Sequence, residues 1–269
     1  KKSMSTNESP IAFAPIYHRK GLIGYHFPGD GAPIFCLHGF GGSGQDFEAL
    51  AAALKGRAPI IALNLPGHRG REANADGIQR IAEDIQQVTA EPIRLLGYSM
   101  GGRFALRLAL EALVPVKSLI LIGTTPGVAN DNECAARAKF EASLAHRLRT
   151  MSQADFQDWW STLPIIASQS RMPSPFKSRM HRRRAENDLS RLEDALNHFG
   201  TGSMRPMWTA LHNLTIPTQL YVGKDDHKYL KIAQDMQERM PNAVLEVIPH
   251  SGHAPHLETP ALMANRLLA

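Results

Sequence analysis

A chain of 269 residues with 43% hydrophobic and 20% charged side chains has the makeup of a globular protein with an ample core. That length suits one large α/β domain or two small ones, and apolar runs such as Leu119–Ile122 are far too short for membrane insertion. The formal net charge of +5 is densest at His181-Arg182-Arg183-Arg184, which has no interleaved aromatics and no zinc-finger or RNA-binding signature. Nucleic acid is therefore not an expected partner, and a solvated helix face is the plainer reading of the run.

Residues 1–10 are polar and lack the apolar segment of a secretory signal. Cys36 and Cys134 make no disulfide framework, and Cys36, inside an apolar run, reads as a buried small hydrophobe. A cytoplasmic location is expected. Short apolar runs then alternate with longer amphipathic segments. Strands are predicted at Ile34–Leu37, Pro59–Leu63, Ile93–Leu96, Ser118–Ile122, Thr218–Val222 and Val244–Ile248. Helices are predicted at Asp46–Leu54, Ile78–Val88, Gly101–Leu113, Tyr229–Met240 and Pro260–Leu268. Such alternation implies a mostly parallel sheet flanked by helices, with ligands bound at the carboxyl ends of its strands.

The rhythm breaks between about Gly127 and Pro206. Asp131–Leu148, Gln153–Trp160, Phe176–Arg184 and Leu189–Phe199 read as helix after helix. The expectation is a core of residues 11–126 and 207–269, with an all-helical cap over the active site at 127–206. Phe156, Trp159 and Trp160 are available to line that cap or simply to pack it.

The chemistry centres on Gly97-Tyr98-Ser99-Met100-Gly101-Gly102, which follows an apolar strand and opens a helix. Glycine-x-serine-x-glycine in that context is a nucleophile elbow, tight enough to require its glycines. A serine hydroxyl needs a base, itself oriented by a carboxylate. Asp226, three residues after Gly223, is favoured over Asp225 as the acid. His253, after the glycine of Ser251-Gly252, is favoured over His250 and His256 as the base. An oxyanion hole needs two backbone N–H donors, and Met100 and Phe40 of His38-Gly39-Phe40-Gly41-Gly42 are the candidates. His38 and His68 read as structural. The glycine-rich loop lacks the lysine-serine/threonine pair of a phosphate loop, and no spacing suggests a metal site. No cofactor is expected, and nothing in the sequence fixes an oligomeric state.

With these residues the chain resembles the α/β-hydrolase superfamily over essentially its whole length. Within it, the chain resembles the 2-succinyl-6-hydroxy-2,4-cyclohexadiene-1-carboxylate synthases of menaquinone biosynthesis. The resemblance rests on Gly97 to Arg103 with its Tyr98, and on Pro126-Gly127 followed by Arg137. It rests also on Gly200-Thr201-Gly202 with Trp208, Val222 to Tyr229, and Gly252 to Glu258. Departures are Met100, where leucine is common, and Arg69, inserted in Leu65-Pro66-Gly67-His68-Arg69-Gly70.

The resemblance implies elimination of pyruvate from a small anionic polycarboxylate. Ser99, deprotonated toward His253, would act as the base, and the oxyanion hole would hold an enolate. Tyr98, Arg103, Arg137 and Trp159 would contact the substrate, arginine being suited to carboxylates. Two other readings use the same residues: a carboxylesterase or acyl-carrier methyl ester hydrolase, and a non-catalytic binding module. An esterase has little need for Arg103 and Arg137, and a decayed scaffold usually loses its serine or histidine.

Overall fold

The computed structural model describes residues 12–18 and 21–269, so the polar stretch 1–10 and the first residue of the expected core lie outside the described residues. The chain opens with a hairpin of β1 (Ala14–His18) and β2 (Gly21–Phe27), then runs through β3 (Ile34–Leu37), α1 (Glu48–Leu54) and β4 (Ile60–Leu63). Next come α2 (Gly77–Val88), β5 (Ile93–Tyr98), α3 (Met100–Leu110) and β6 (Val116–Ile122). Five helices follow: α4 (Asp131–Thr150), α5 (Gln153–Thr162), α6 (Pro164–Ala167), α7 (Ser174–Arg184) and α8 (Leu189–Phe199). The chain closes with β7 (Thr218–Gly223), α9 (His227–Gln237), β8 (Ala243–Ile248), α10 (Pro255–Glu258) and α11 (Pro260–Leu268). Among the described residues no helix is long and apolar enough to cross a membrane.

The eight strands form one sheet in the order β1-β2-β4-β3-β5-β6-β7-β8. Pairing is parallel from β4 through β8 and antiparallel for β1–β2 and β2–β4. The central strands β3 and β4 are buried at every position, as continuous apolar runs in a parallel sheet require. Alternate side chains feed two cores. Leu95, Leu119 and Leu121 meet α2 and α3 on one face, while Leu96, Ile120 and Ile122 meet α1 and α11 on the other.

The predicted strands are present, each extended by at most two residues except Pro59–Leu63, which begins at Ile60. The hairpin of β1 and β2 went unpredicted. Its sequence Gly-Leu-Ile-Gly-Tyr-His-Phe is broken by glycines that read as turn signals. Gly24 is instead there for close approach: a Cβ on it would lie 2.3 Å from the carbonyl oxygen of Ala62 on β4. Helix α3 stops at Leu110 because Ala112 takes φ 50°. Helix α9 starts two residues early because the Asp226 side chain accepts from the Tyr229 N–H at 3.3 Å and caps it.

The helices between β6 and β7 carry their own apolar cluster of Leu144, Leu148, Phe156, Leu192 and Leu196, with Phe40 of the β3 loop packed against it. The short α6 and the 3-10 turn Ser168–Arg171 interrupt what read as plain loop. Pro164 at the first position of α6 marks that helix start.

The basic run is only in part a solvated face: His181 and Arg182 are exposed, while Arg183 and Arg184 are turned inward. Arg179 and Arg183 reach the buried Glu48 at 2.9 and 2.7 Å, and Arg184 reaches the buried Asp46 at 3.1 Å. Only Arg182 of the three consecutive arginines is exposed. Helical geometry spreads consecutive residues around the axis, so a charge run alone does not reveal which members face inward. The readable signal lay elsewhere, in two carboxylates, Asp46 just before the otherwise apolar α1 and Glu48 at its first position.

Candidate active site

Ser99 is the only residue between β5 and α3, and it sits at φ 51°, ψ −112°. A non-glycine residue at positive φ is strained and persists only where its surroundings hold it. They do so through close packing. A Cβ on Gly101 would lie 2.1 Å from the Leu37 carbonyl oxygen, and one on Gly97 2.5 Å from that of Gly101. The Ser99 N–H donates to Ile122 at 2.9 Å and its carbonyl accepts from the Thr124 hydroxyl at 2.8 Å.

His253 lies in the loop between β8 and α10, and its Nδ1 is 2.7 Å from Asp226 Oδ2. The carboxylate only accepts, so Nδ1 carries the proton and Nε2 presents its lone pair. Nε2 is buried with no partner among the described residues. The ring is flanked by Tyr229 at 4.4 Å and Tyr98 at 5.3 Å between centroids. Asp226 thus orients the histidine through one oxygen and caps α9 with the other. Asp225 faces outward and pairs with Arg171 at 2.5 Å. His250 takes the turn at φ 59°, and His256 is buried against Tyr98 and Phe47. The geometry therefore separates these neighbours from Asp226 and His253.

Ser99, His253, Phe40 and Met100 line one cavity of about 100 Å³. Among the described residues no acceptor engages the Phe40 or Met100 amide, and both residues line the cavity of the serine. The loop that offers the Phe40 amide is held from beneath. His68 Nδ1–H donates to Pro66 O at 3.0 Å, and its Nε2 accepts from the Gly41 N–H at 2.9 Å. His38 Nδ1–H donates to Gly39 O at 2.7 Å, and its Nε2 accepts from the Leu65 N–H at 3.0 Å. Asn187, just before α8, adds a bond to the Gly41 carbonyl at 3.0 Å and accepts from the Arg69 N–H at 2.9 Å. The inserted Arg69 also donates to Arg183 O at 3.2 Å and pairs with Glu186, fastening the β4 loop to α7.

Burial pushes His38, His68 and His256 each down to about 3. All three are neutral in the fold, whereas the unfolded chain protonates them near 6.5. Stability should therefore be full above pH 6.5 and fall as pH drops toward 3, because the unfolded state binds the extra protons first. Urea midpoints measured from pH 7 to 4 should decline, and replacing His256 with glutamine should flatten the slope. An unchanged slope would mean that the imidazole is not held neutral.

The same cavity is lined by Arg103, Arg137 and Arg184, with no carboxylate among its described lining residues. Arg103 is buried and donates to the Phe199 carbonyl at 2.7 Å. Burial, aided by the positive charge of Arg137, lowers its pKa to about 10. Arg137 is not a free surface residue. Its Nε donates to Glu141 at 2.6 Å, and Glu141 in turn accepts from the Thr201 and Gly202 amides at 2.8 and 3.1 Å. Gly200-Thr201-Gly202 is thereby tied to α4. Tyr98 lines the cavity with its hydroxyl 3.5 Å from Gln169 Nε2.

The expectation for Trp159 needs correcting. Its neighbour Trp160 lines the cavity, while Trp159 lies 4.4 Å beneath the Arg147 guanidinium. Phe156 and Trp160 stand four residues apart on the inward face of α5, and Trp159 is a position round from it. Arg184, Gln169 and Tyr229 also line the cavity. Arg184 read only as part of a solvated basic run, Tyr229 only as the end of the Val222–Tyr229 stretch, and Gln169 carried no signal; each reaches the cavity through tertiary packing.

Glu258 is another member that sequence reading passed over. Its buried carboxylate accepts from the Gly252 and Ala254 amides at 2.7 and 3.1 Å, bracketing His253, and from the Ser168 hydroxyl at 2.8 Å. Glu258→Gln replaces one acceptor oxygen by a donor and leaves a loop amide unpaired. A stability loss of about 1–3 kcal/mol is expected, with a lower kcat and little change in KM. Urea melts and steady-state kinetics on this variant check it; unchanged values in both would show that the loop holds itself.

The alpha/beta hydrolase family matches residues 34–266. A Bacillus subtilis (strain 168) protein, provisionally named a 2-succinyl-6-hydroxy-2,4-cyclohexadiene-1-carboxylate synthase, is 30% identical over 243 residues, covering 87% of this chain and 88% of its own. A Salmonella agona (strain SL483) protein of that name is 28% identical, with coverage of 91% and 97%. Among solved structures, MenH from S. aureus superposes with a TM-score of 0.84 at 25% identity, over 91% of this chain and 96% of its own. The chain belongs to the alpha/beta hydrolase family and, within it, to the family of the 2-succinyl-6-hydroxy-2,4-cyclohexadiene-1-carboxylate synthases.

Proposed function

We propose that this enzyme eliminates pyruvate from 2-succinyl-5-enolpyruvyl-6-hydroxy-3-cyclohexene-1-carboxylate, a step of menaquinone biosynthesis. The carrying observation is that Arg103, Arg137 and Arg184 line the cavity of Ser99 and His253 while no carboxylate is among its described lining residues, the partners Glu141 of Arg137 and Asp46 of Arg184 lying outside that lining. That substrate has three carboxylates. A site of fork-shaped cations suits it, whereas a neutral ester has no use for them.

The chemistry follows from the two names. Loss of a C2 proton, alpha to the succinyl carbonyl, and of the C5 enolpyruvyl oxygen turns a 3-ene into a 2,4-diene. His253 Nε2 takes the hydroxyl proton of Ser99, and Ser99 Oγ removes the C2 proton. The electron pair passes first to the carbonyl oxygen, where the Phe40 and Met100 amides stabilise the enolate. It then returns through the ring, the C5–O bond breaks with its electron pair on oxygen, and the departing enolate takes up at its methylene carbon the proton held by His253 to become pyruvate. Asp226 keeps His253 in the tautomer that accepts at Nε2. Residues 127–206 serve as the cap, supplying Arg137, Trp160 and Arg184 and excluding water. Tyr98 and Tyr229 fix the plane of the His253 ring.

The test is pyruvate release from this substrate, set against acid release from a short-chain ester. Ser99→Ala and His253→Ala should each cost on the order of a thousandfold or more, Asp226→Asn less, and Asp225→Asn almost nothing. A deuterium isotope effect at C2 is expected, with no covalent intermediate. A kinetically competent acyl-Ser99 species in intact-mass analysis would return the esterase reading to first place.

The arginines supply a second test. Truncating Arg103 or Arg137 to alanine should cost about 2–5 kcal/mol in kcat/KM, because a substrate carboxylate is left without its partner. Normal kinetics in both folded variants would remove the ground for preferring the lyase.

A further inference from the structure

The cavity at Ser99, about 100 Å³, falls below the ~300–1,000 Å³ typical of ligand sites. Beside it, between α5, α6 and α7, lies a second cavity of about 280 Å³. Trp160, Ile166, Gln169 and Arg184 line both, so a single layer of side chains parts them. Only jointly do the two reach the usual size of a ligand site.

The second cavity has its own chemistry. Phe156, Trp160, Ile166 and Leu192 give it an apolar wall, and Lys177 and Arg184 give it two cations. No carboxylate is among its described lining residues. Lys177 is half-buried, and its only partner among the described residues is the Ser170 carbonyl at 3.4 Å. Its helix neighbours Arg179 and Arg183, by contrast, are both committed to Glu48. Arg184 Nε, at the partition, is buried without an acceptor. A half-buried ammonium and an orphaned N–H on an otherwise apolar cavity wall call for an anion carried on a short hydrocarbon arm.

We propose, resting on the polycarboxylate reading above, that this second cavity binds the substrate's aliphatic arm, with its terminal carboxylate held by Lys177 Nζ and Arg184 Nε. The reacting ring then sits under Ser99, and the arm passes between Trp160 and Gln169. Gln169 can give way there, since its bond to the Tyr98 hydroxyl is long while its other end is fixed to Arg184 at 2.8 Å. Lys177 is in this view a specificity residue: it selects a carboxylate at the end of the arm and takes no part in proton transfer.

The test compares two stable probes, 4-oxo-4-phenylbutanoate and its terminal carboxamide, which share the ring, ketone and arm and differ in the charge. Binding is followed by calorimetry in wild type, Lys177→Met and Lys177→Arg, alongside KM and kcat for pyruvate release. Wild type should bind the carboxylate about tenfold tighter than the amide, equivalent to one buried charge contact. Lys177→Met should abolish that preference and raise KM about tenfold, and Lys177→Arg should keep most of the preference. Absence of a preference in wild type, or its persistence in Lys177→Met, overturns the subsite. A wild type that releases no pyruvate but shows a Lys177-dependent preference keeps the subsite and removes the assigned reaction, so the two failures are distinct.

Discussion

The approach of α3 to the end of β3 is the constraint on which the site depends. Gly101 lies against the Leu37 carbonyl so closely that no side chain fits between them. That contact forces the turn from β5 into α3 to be made by a single residue at φ 51°. It also sets the loop after β3 beside the first turn of α3, so Phe40 and Met100 line the same cavity as the serine. The strain at Ser99 and the closeness of these two segments are thus one geometric fact. Separating them would require the helix to pull away from the sheet, exposing the Met100 and Phe104 side chains now buried against it.

Electrostatics divides the arginines into two kinds. Arg179 and Arg183 meet buried carboxylates and hold α7 to the start of α1. Among the described residues Arg103 meets only a backbone carbonyl, and burial lowers its pKa to about 10, so its charge is poorly compensated in the free protein. A desolvated cation left in that state costs stability. An anionic ligand repays the cost on binding, which is how a site tolerates an arrangement that folding alone would disfavour. Arg184 is of both kinds, joined to Asp46 on one side and lining the cavity on the other.

Much of the fold was legible because its central strands are buried on both faces and so read as apolar runs. The elbow was legible because its glycines are demanded by backbone contacts within a few residues of one another. Asp226 and His253 could be ranked above their neighbours by local turn chemistry, and the geometry pairs these two at 2.7 Å. What escaped has two causes. The β1–β2 hairpin uses glycine for approach to a strand distant in sequence. Trp160, Arg184 and Gln169 reach the cavity through the angle at which α5 and α7 cross the core. Glu258 acts through backbone amides that no side-chain pattern announces. All but Glu258 depend on contacts between segments far apart in the chain, and Glu258, only four to six residues from the amides it holds, acts on backbone; local periodicity carries no information on either.

A serine, its histidine and two amides can serve carbonyl attack or proton removal, so the triad by itself does not choose the reaction. The choice lies in where the substrate is held. Acyl transfer needs the carbonyl carbon in line with Oγ and a leaving group aimed at the histidine. Proton removal needs the C–H there instead, with the same carbonyl oxygen still between the amides, a displacement of about one bond length. Arginines at fixed points around the cavity set such a displacement, because a polycarboxylate pinned at several places cannot slide to bring its carbonyl carbon under the serine. Arg103 on α3 and Arg137 on α4 approach from different elements, and each is fixed by its own partner, the Phe199 carbonyl and Glu141. In the proposed reaction, their rigidity together with their charge would turn an esterase-like constellation toward elimination.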